Sequence, residues 1–553
     1  MSISNGFFRL DSLSIFVGIF IVFFSILTIL YSFGFMRKVK GLIRYYLYII
    51  LTLIAALGVV FSNNLILFIV FWGFLGLTLY LLIGFGDKER VQATAKKTFI
   101  IIGGADALMM LGLAFIWRIA GTLDMDKISI ALNTKVAIAA YLCLAAGAFA
   151  KAGAMPLHTW IPDTAEDAPT PVTAFLPASL DKLLGIYFLT RISLDVFQMS
   201  QAMNTFLMAL GSFTIVAAVM MALVQHDLKR LLGYHAVSQV GYMVLGIGTG
   251  NPIGIAGGLF HMLNHAIYKS CLFFSGGAVE KKGGTTDLKK LGGFAKVMPV
   301  TFITFLVASL AISGVPPFNG FASKWMVYQG VIETAKNGGR LWVIWLIAAM
   351  FGSALTLASF MKLIHAVFLG QPSKEASSKT EDGNLREVGP TMWVPTIILA
   401  TLCIAFGIFA YRLPLKMLIL PSLNMDVSFT GIWEASLATI LMVIGILLGI
   451  AIYFIGTASK TRRAEIFVGG EILKDVPEMR LSGVEFYNTI HDIGILKWIY
   501  KLANRKVFDI YEVGAKLTFE FNKILRNMHN GILPTYLTWC LLAMGILFYT
   551  LIR

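Results

Sequence analysis

Long apolar runs dominate the chain, separated by short polar connections. A helix that crosses a bilayer needs about 20 mostly apolar residues. Runs of that kind fall near 12–34, 43–62, 64–84, 98–118, 134–150, 171–191, 204–224, 229–249, 253–279, 298–316, 341–369, 391–411, 431–456 and 533–552. The pattern predicts an all-α polytopic membrane protein with about fourteen spans. Short helical pieces are expected after Lys151 and after Gly320, because Pro156 and Pro162, then Pro316 and Pro317, break the neighbouring runs. The first apolar run is too long for a removable signal peptide and lacks its small-residue cleavage pattern.

Two segments depart from this rhythm. Residues 371–389 (QPSKEASSKTEDGNLREVG) form a polar loop. Residues 457–532 mix charges with apolar side chains, and between 483 and 529 Phe486, Tyr487, Trp498, Phe508, Leu517, Phe521 and Leu525 approximate one apolar helix face. A helix of about 47 residues there would extend about 70 Å. It fits either an interfacial helix of this chain alone or a strut lying along neighbouring subunits. The chain then divides into N-terminal spans 1–62, a first half 63–192, a second half 204–370, the polar loop 371–389, additional spans 390–456, the amphipathic region 457–532 and a last span 533–553.

Composition narrows the class. Charged residues are 14% of the 553 and hydrophobic ones 57%, whereas a soluble domain carries about 25% charged residues. This excludes a soluble globular protein, a disordered tail and a nucleic-acid binder, although Lys and Arg (45) exceed Asp and Glu (30) to leave a net charge of +15. The excess is explained by topology: Arg37, Lys38, Lys40, Arg44, Lys88, Arg90, Lys96, Lys97, Lys229, Arg230, Lys281, Lys282, Lys289 and Lys290 fall in alternate connections. Under the positive-inside rule those loops are cytoplasmic and both termini lie outside. Cys143, Cys271, Cys403 and Cys540 are far apart, so no disulfide framework, metal site or iron–sulfur motif is expected.

Ionisable groups inside spans are costly and are functional candidates by default. Lys182 sits mid-span in PVTAFLPASLDKLLGIYFLTR, too deep to reach water, and Asp181 precedes it but points about 100° away. His261, His265 and Lys269 follow one another at intervals of four, along one helix face. Such a stripe can pass a proton; it can equally be a set of satisfied interhelical hydrogen bonds. Lys151 (GAFAKAGAMPLHTWIPD) and Lys324 (SGVPPFNGFASKWMV) adjoin the two helix breaks. Broken helices at membrane depth line watery cavities or lie buried in protein, although a lone Lys at a span end also serves as an interfacial anchor. Asp106, in IIGGADALMMLG, is either a translocation carboxylate or a packing hydrogen bond between close helices. His235 and Lys229 complete the candidates.

Several long segments together carry a resemblance: ALVQHDLKRLLGYHAVSQVGYM, FHMLNHAIYKSCLFFSGGAV, KAGAMPLHTWIPDTAEDAPTPVTAFLPASLDKLLGIY and PPFNGFASKW. They resemble the antiporter-like membrane subunits of respiratory complex I, the Mrp sodium/proton antiporters and the membrane-bound (group 4) hydrogenases, from about Phe7 to Gly370. The wording FLPASLDKLLGIYFLTRI is most similar to the hydrogenase-related branch. The resemblance implies two inverted five-helix repeats, each with a broken helix, around a central hydrophilic axis. It matches Lys151 and Lys324 to the broken-helix lysines, Lys182 to the lysine of the following helix, and His261, His265 and Lys269 to the central positions. It likens 483–529 to a lateral helix, along which other membrane subunits would pack.

Two departures stand out. The family's early span reads FWE, its Glu pairing with the first broken-helix lysine; here it reads Phe71-Trp72-Gly73. Either Asp106 takes part of that role or the first half-channel is altered. Asp11 in FFRLDSLSIF matches a motif usually reached after two earlier helices, so the chain is expected to start two spans late. The resemblance implies an ion-translocating subunit, moving protons or exchanging sodium for protons, in a redox-driven complex of the prokaryotic-type cell membrane. Such a chain is not catalytic alone and holds no cofactor, its iron–sulfur clusters belonging to peripheral redox partners. The alternatives are an Mrp-type antiporter component without redox partners and a docking subunit with impaired conduction.

Overall fold

A computed structural model of the chain describes residues 3–336, 338–373, 386–423 and 493–552, with scattered positions between 425 and 487. Most of the expected polar loop and of the expected span 431–456, and all of 457–483, lie outside the described residues. The chain divides into two units, Met1–Ile493 and Gly494–Arg553.

The first unit begins with a short hairpin, β1 (Ile3–Asn5) and β2 (Phe8–Leu10). Helices follow in order: α1 (Ser12–Phe35), α2 (Leu42–Phe61), α3 (Leu65–Ile83), α4 (Val91–Ala120), α5 (Lys135–Ala152), α6 (Trp160–Asp167), α7 (Thr170–Phe175) and α8 (Asp181–Arg191). Then come α9 (Gln201–Leu223), α10 (Leu228–Gly248), α11 (Pro252–Gly283), α12 (Pro299–Ser313), α13 (Asn319–Glu333), α14 (Trp342–Ile364) and α15 (Pro390–Ile408). A wide turn at Leu176–Leu180 joins α7 to α8, and another at Ile192–Val196 prolongs α8, so that 170–196 form one buried stretch.

Among the described residues, ten helical stretches are long and apolar enough to cross a membrane. Of the other expected spans, 431–456 lies mostly outside the described residues, and the remaining three differ for physical reasons visible in the elements. Helices α10 and α11 have the length but carry Lys, His, Asn and Gln side chains. Helix α12 has only 15 residues because Gly314 adopts a left-handed φ of 79° and Pro316 and Pro317 follow. Helix α11 is buried without interruption from Ile253 to Val279. A helix buried all round sits at the centre of a bundle, where polar side chains can meet partners. Glycines let it and α10 pack closely: a Cβ at Gly246 would lie 2.7 Å from the Gly254 carbonyl oxygen, and one at Gly241 would lie 2.5 Å from that of Gly211 on α9.

Both helix breaks form where the sequence predicts them. Helix α5 ends at Gly153 (φ 83°), and the chain restarts as α6; α12 ends at Gly314, and it restarts as α13. Connections gather on two faces. On one, Lys97 pairs with Asp163 at 2.8 Å, Arg230 with Asp163 and Glu166, and Leu228 N–H donates to Thr286 O. On the other, the 62–64 connection bonds to the hairpin and to the 123–126 loop, and β3 (Ile130–Ala131) pairs in parallel with β4 (Phe197–Gln198).

Arg191 clamps this second face. Its guanidinium donates to Asp11 at 2.5 Å, to Asp195 at 2.8 Å and to the Tyr187 hydroxyl at 3.1 Å, while Arg9 bridges Asp11 and Asp195. Asp11 also caps α1, accepting from Ser14 N–H. Burial alone would raise the Asp11 carboxyl, but the hydrogen bond and charge of Arg191, with help from Ser14 and Arg9, bring it down to about 2. Its stabilisation is therefore complete above its ordinary value of 3.8 and lost as pH falls through about 2.

The second unit holds α16 (Gly494–Asn504), α17 (Ile510–Met528) and α18 (Leu533–Ile552). The single helix expected over 483–529 is interrupted in its described part. Lys506 takes a left-handed φ of 57°, and Asp509 accepts from Tyr511 N–H to cap a new helix. Val513, Leu517, Phe521 and Leu525 form one apolar stripe on α17, all exposed.

Breaking the clamp should be costly. Arg191→Ala leaves two carboxylates short of their partner and should destabilise the purified chain by about 3 kcal/mol. Asp11→Asn should lower the melting temperature at neutral pH, with the deficit shrinking only at strongly acid pH. A melting curve of Arg191→Ala matching the parent at pH 7 would refute this role.

Candidate ion-translocation site

The first cluster is assembled by close packing of α5 and α8. A Cβ at Gly185 would lie 2.6 Å from Ala152 N and 2.8 Å from the Ala148 carbonyl oxygen, so only glycine permits this approach. It brings Lys182 to the break after Lys151: a Cβ on Gly153 would lie 3.2 Å from Lys182 Nζ. Lys151, Asp181 and Lys182 are at most 1% exposed. Among the described residues neither ammonium has a hydrogen-bond partner, and neither does either Asp181 carboxylate oxygen. Two indoles take the place of partners. Lys151 Nζ lies 5.1 Å from the Trp72 ring centroid and Lys182 Nζ 6.0 Å from that of Trp160. Trp72 Nε1–H donates to Asp106 Oδ1 at 2.9 Å, so one indole joins Asp106 to Lys151. The Lys151 charge also reaches Asp106 and Asp181 through space. Gly73, where the family's Glu would stand, faces open space.

The second cluster lies between α10, α11, α13 and α14. His261 is fully satisfied, its Nδ1 3.0 Å from Ser323 Oγ and its Nε2 3.1 Å from Gln239 Oε1 and 3.3 Å from the Tyr268 hydroxyl. His265, one turn on, has no hydrogen-bond partner at either nitrogen among the described residues. Lys269 donates to Leu232 O at 3.1 Å and Lys324 to Ile312 O at 2.8 Å, the latter above the Tyr242 ring. Ile312 belongs to the last turn of α12, so the second break supplies Lys324 with a carbonyl that lacks a partner within its own helix. His235 Nε2 lies 2.7 Å from Ser359 Oγ on α14. Asn264 and Asn319 exchange hydrogen bonds of 2.9 and 3.0 Å, pinning the start of α13 to α11.

His265 links the clusters. It lies within electrostatic reach of Lys269 and His261 on its own helix and of Lys182 from the first half. His235 in turn lies within reach of Lys269 and Lys324. The order Lys151, Lys182, His265, Lys269, His235, Lys324 is therefore a chain of electrostatic neighbours crossing the molecule. His261 stands beside it as a bonded support.

Lys229 is placed differently from the other candidates. Its ammonium bonds to Glu280 at 3.1 Å and to Ala168 O at 2.9 Å, and Thr170 donates to the same carboxylate. Buried lysines thus fall into two kinds. Lys97 and Lys229 have carboxylate partners near a face. Lys151, Lys182, Lys269 and Lys324 have none within hydrogen-bonding distance among the described residues. Two buried side chains near these clusters are not singled out by the sequence. Trp72 stands out there only as part of FWG, although an indole beside a span carboxylate is a ready donor. Lys362, fully buried on α14, is hidden inside the run 341–369, yet an ionisable residue within a span is the available signal.

Residues 62–356 match the family described as NADH:quinone oxidoreductase/Mrp antiporter, transmembrane part. The chain is 33% identical over 422 residues to the A1 subunit of a Na(+)/H(+) antiporter from Staphylococcus haemolyticus, covering 72% of this chain and 52% of that protein. It is 29% identical over 525 residues to a Na(+)/H(+) antiporter subunit from Alkalihalophilus pseudofirmus, covering 88% and 64%. The chain spans between half and two thirds of the length of these curated relatives. Among solved structures, a chain of the membrane-bound sulfane sulfur reductase, an archaeal respiratory membrane complex, superposes with a TM-score of 0.80 at 22% identity, covering 99% of this chain and 91% of the other. A chain of the Mrp complex from Dietzia sp. DQ12-45-1b gives 0.69 at 22%, covering 75% and 84%. At that identity the likeness is one of fold.

The two kinds of lysine should respond oppositely to neutral replacement. Lys229→Met strands the Glu280 carboxylate and should destabilise the chain by about 3 kcal/mol. Lys269→Met removes an uncompensated charge while keeping the side chain's bulk, and should melt at or above the parent temperature. Thermal unfolding of both variants in detergent decides it; Lys269→Met melting well below the parent would overturn the division.

Proposed function

We propose, for a chain that belongs to the NADH:quinone oxidoreductase/Mrp antiporter membrane family, the function of an ion-translocating subunit within a redox-driven membrane complex. The observation that carries this reading is the row of buried ammonium groups without carboxylate hydrogen bonds, continued by His265 and His235 from one half to the other. A site that moves protons must be tolerable in both charge states. An ammonium hydrogen-bonded only to carbonyls, or set over an aromatic ring, can lose its proton without breaking a hydrogen-bonded ion pair. Two unit charges about 6 Å apart interact by about 3 kcal/mol at an effective dielectric constant of about 20, which corresponds to about two pKa units. Protonating one lysine can therefore expel a proton from the next.

Asp106 fits the role of the carboxylate missing at Gly73, acting on Lys151 across the Trp72 indole. The ions moved are protons, alone or in exchange for sodium. Coverage of nearly the whole chain by the archaeal respiratory fold supports the redox-driven reading. The names of the sodium/proton antiporter relatives support the second reading, an Mrp-type component without redox partners. In the first reading, peripheral subunits hold the iron–sulfur clusters and deliver the driving charge movement. The concentration of Lys and Arg on the 36–44, 88–97, 229–230 and 281–296 segments supports a cytoplasmic location for that face, in a prokaryotic cell membrane, with the N-terminus outside.

Lys182→Ala, Lys269→Ala and Lys324→Ala should each abolish ion movement by the reconstituted complex while its subunits still assemble. Assembly with undiminished pumping would reduce this chain to a docking role. Asp106→Asn should slow ion movement and alter its pH dependence; a pumping rate and pH profile equal to the parent's would remove Asp106 from the pathway.

A further inference from the structure

One fully buried ammonium has no place in the pathway described above. Lys362 lies on the last turn of α14 and is 0% exposed. A lysine near a span end ordinarily extends its stem to put the charge in water. This one turns inward, and Nζ donates to Leu223 O at 2.7 Å and Gln225 O at 2.8 Å. Both carbonyls lie at the C-terminal end of α9, which favours a cation. No carboxylate bonds to Lys362 among the described residues, so it belongs with Lys269 and Lys324 rather than with the ion-paired Lys97 and Lys229.

It is also connected at both ends. One turn earlier on α14, Ser359 Oγ lies 2.7 Å from His235 Nε2. The charge of Lys362 reaches His235 together with those of Lys269 and Lys324. On its other side the Gln225 anchor belongs to the connection 224–227, where Gln225 is half-buried and His226 exposed. Lys362 therefore stands between the internal axis and water on the face of the 224–227 connection.

We infer that Lys362 is the terminal proton carrier through which the second half exchanges protons with that face; the inference rests on the translocation reading. In one cycle the ammonium releases a proton to water at the 224–227 mouth and becomes a neutral amine. Freed from its carbonyls, the flexible stem reaches back to Ser359. His235, made an imidazolium by a proton from the Lys269 ammonium, gives one proton to the Ser359 hydroxyl as that hydroxyl gives its own to Nζ; His235 returns to neutral imidazole, one net proton reaches Nζ, and only N–H and O–H bonds break and form.

The competing role is a cap that merely ties α14 to α9. Arginine separates the two, since a guanidinium keeps the donors and the charge but does not give up its proton. Lys362→Arg and Lys362→Met are made in the whole complex and reconstituted, with assembly read by subunit composition and proton movement by an internal pH dye. Both variants should assemble and move protons about a hundredfold more slowly, the low end for losing a positioned proton-transfer group. Arginine working at the parental rate overturns the proposal and leaves a cap. Failure of both variants to assemble also assigns Lys362 to holding the helices together. A parent complex that moves no protons overturns the translocation reading and this inference with it.

Discussion

Charge held inside an apolar protein without a carboxylate hydrogen bond governs this molecule. Transferring an ammonium out of water costs several kcal/mol even after relaxation, and Lys151, Lys182, Lys269, Lys324 and Lys362 all lie at most 2% exposed. The structure offsets that cost without supplying a fixed carboxylate hydrogen bond. It uses the faces of Trp72, Trp160 and Tyr242 and carbonyls of Leu232, Ile312, Leu223 and Gln225. Such partners favour a cation less strongly than a hydrogen-bonded carboxylate would.

The helix breaks follow from the same requirement. An unbroken helix has used its carbonyls internally, whereas a helix that stops at membrane depth offers its last ones to a side chain. Glycine permits both the stop and the approach. Gly153 and Gly314 take left-handed backbone angles where the helices end, and Gly185 lets α8 touch α5 so that Lys182 arrives beside the first break. Rigidity comes from the faces, where charges are paired: Arg191 with Asp11 and Asp195 on one, Lys229 with Glu280 and Lys97 with Asp163 on the other. Paired ions at the ends frame unpaired ions in the middle. The paired ones hold the helices in place.

Sequence alone determined that the chain is a bundle of membrane-crossing helices, because twenty-odd apolar residues between polar connections have no other stable arrangement in a bilayer. It also located the two breaks, through proline and glycine, and the span lysines and histidines, because any ionisable group stands out against an apolar run. Tertiary structure decided which charges are balanced. Lys229 and Lys269 look alike as residues in long helices, but only the fold brings Glu280 to one and a lone carbonyl to the other. The Trp72 link between Asp106 and Lys151 joins three helices and leaves no local sequence pattern. The interruption at Lys506 was likewise invisible to an amphipathic pattern, which runs through Arg505–Asp509 unchanged while the Asp509 cap starts a new helix. Local periodicity records which face of a helix is apolar; partners distant in the chain, brought close by folding, set the energy of each buried charge.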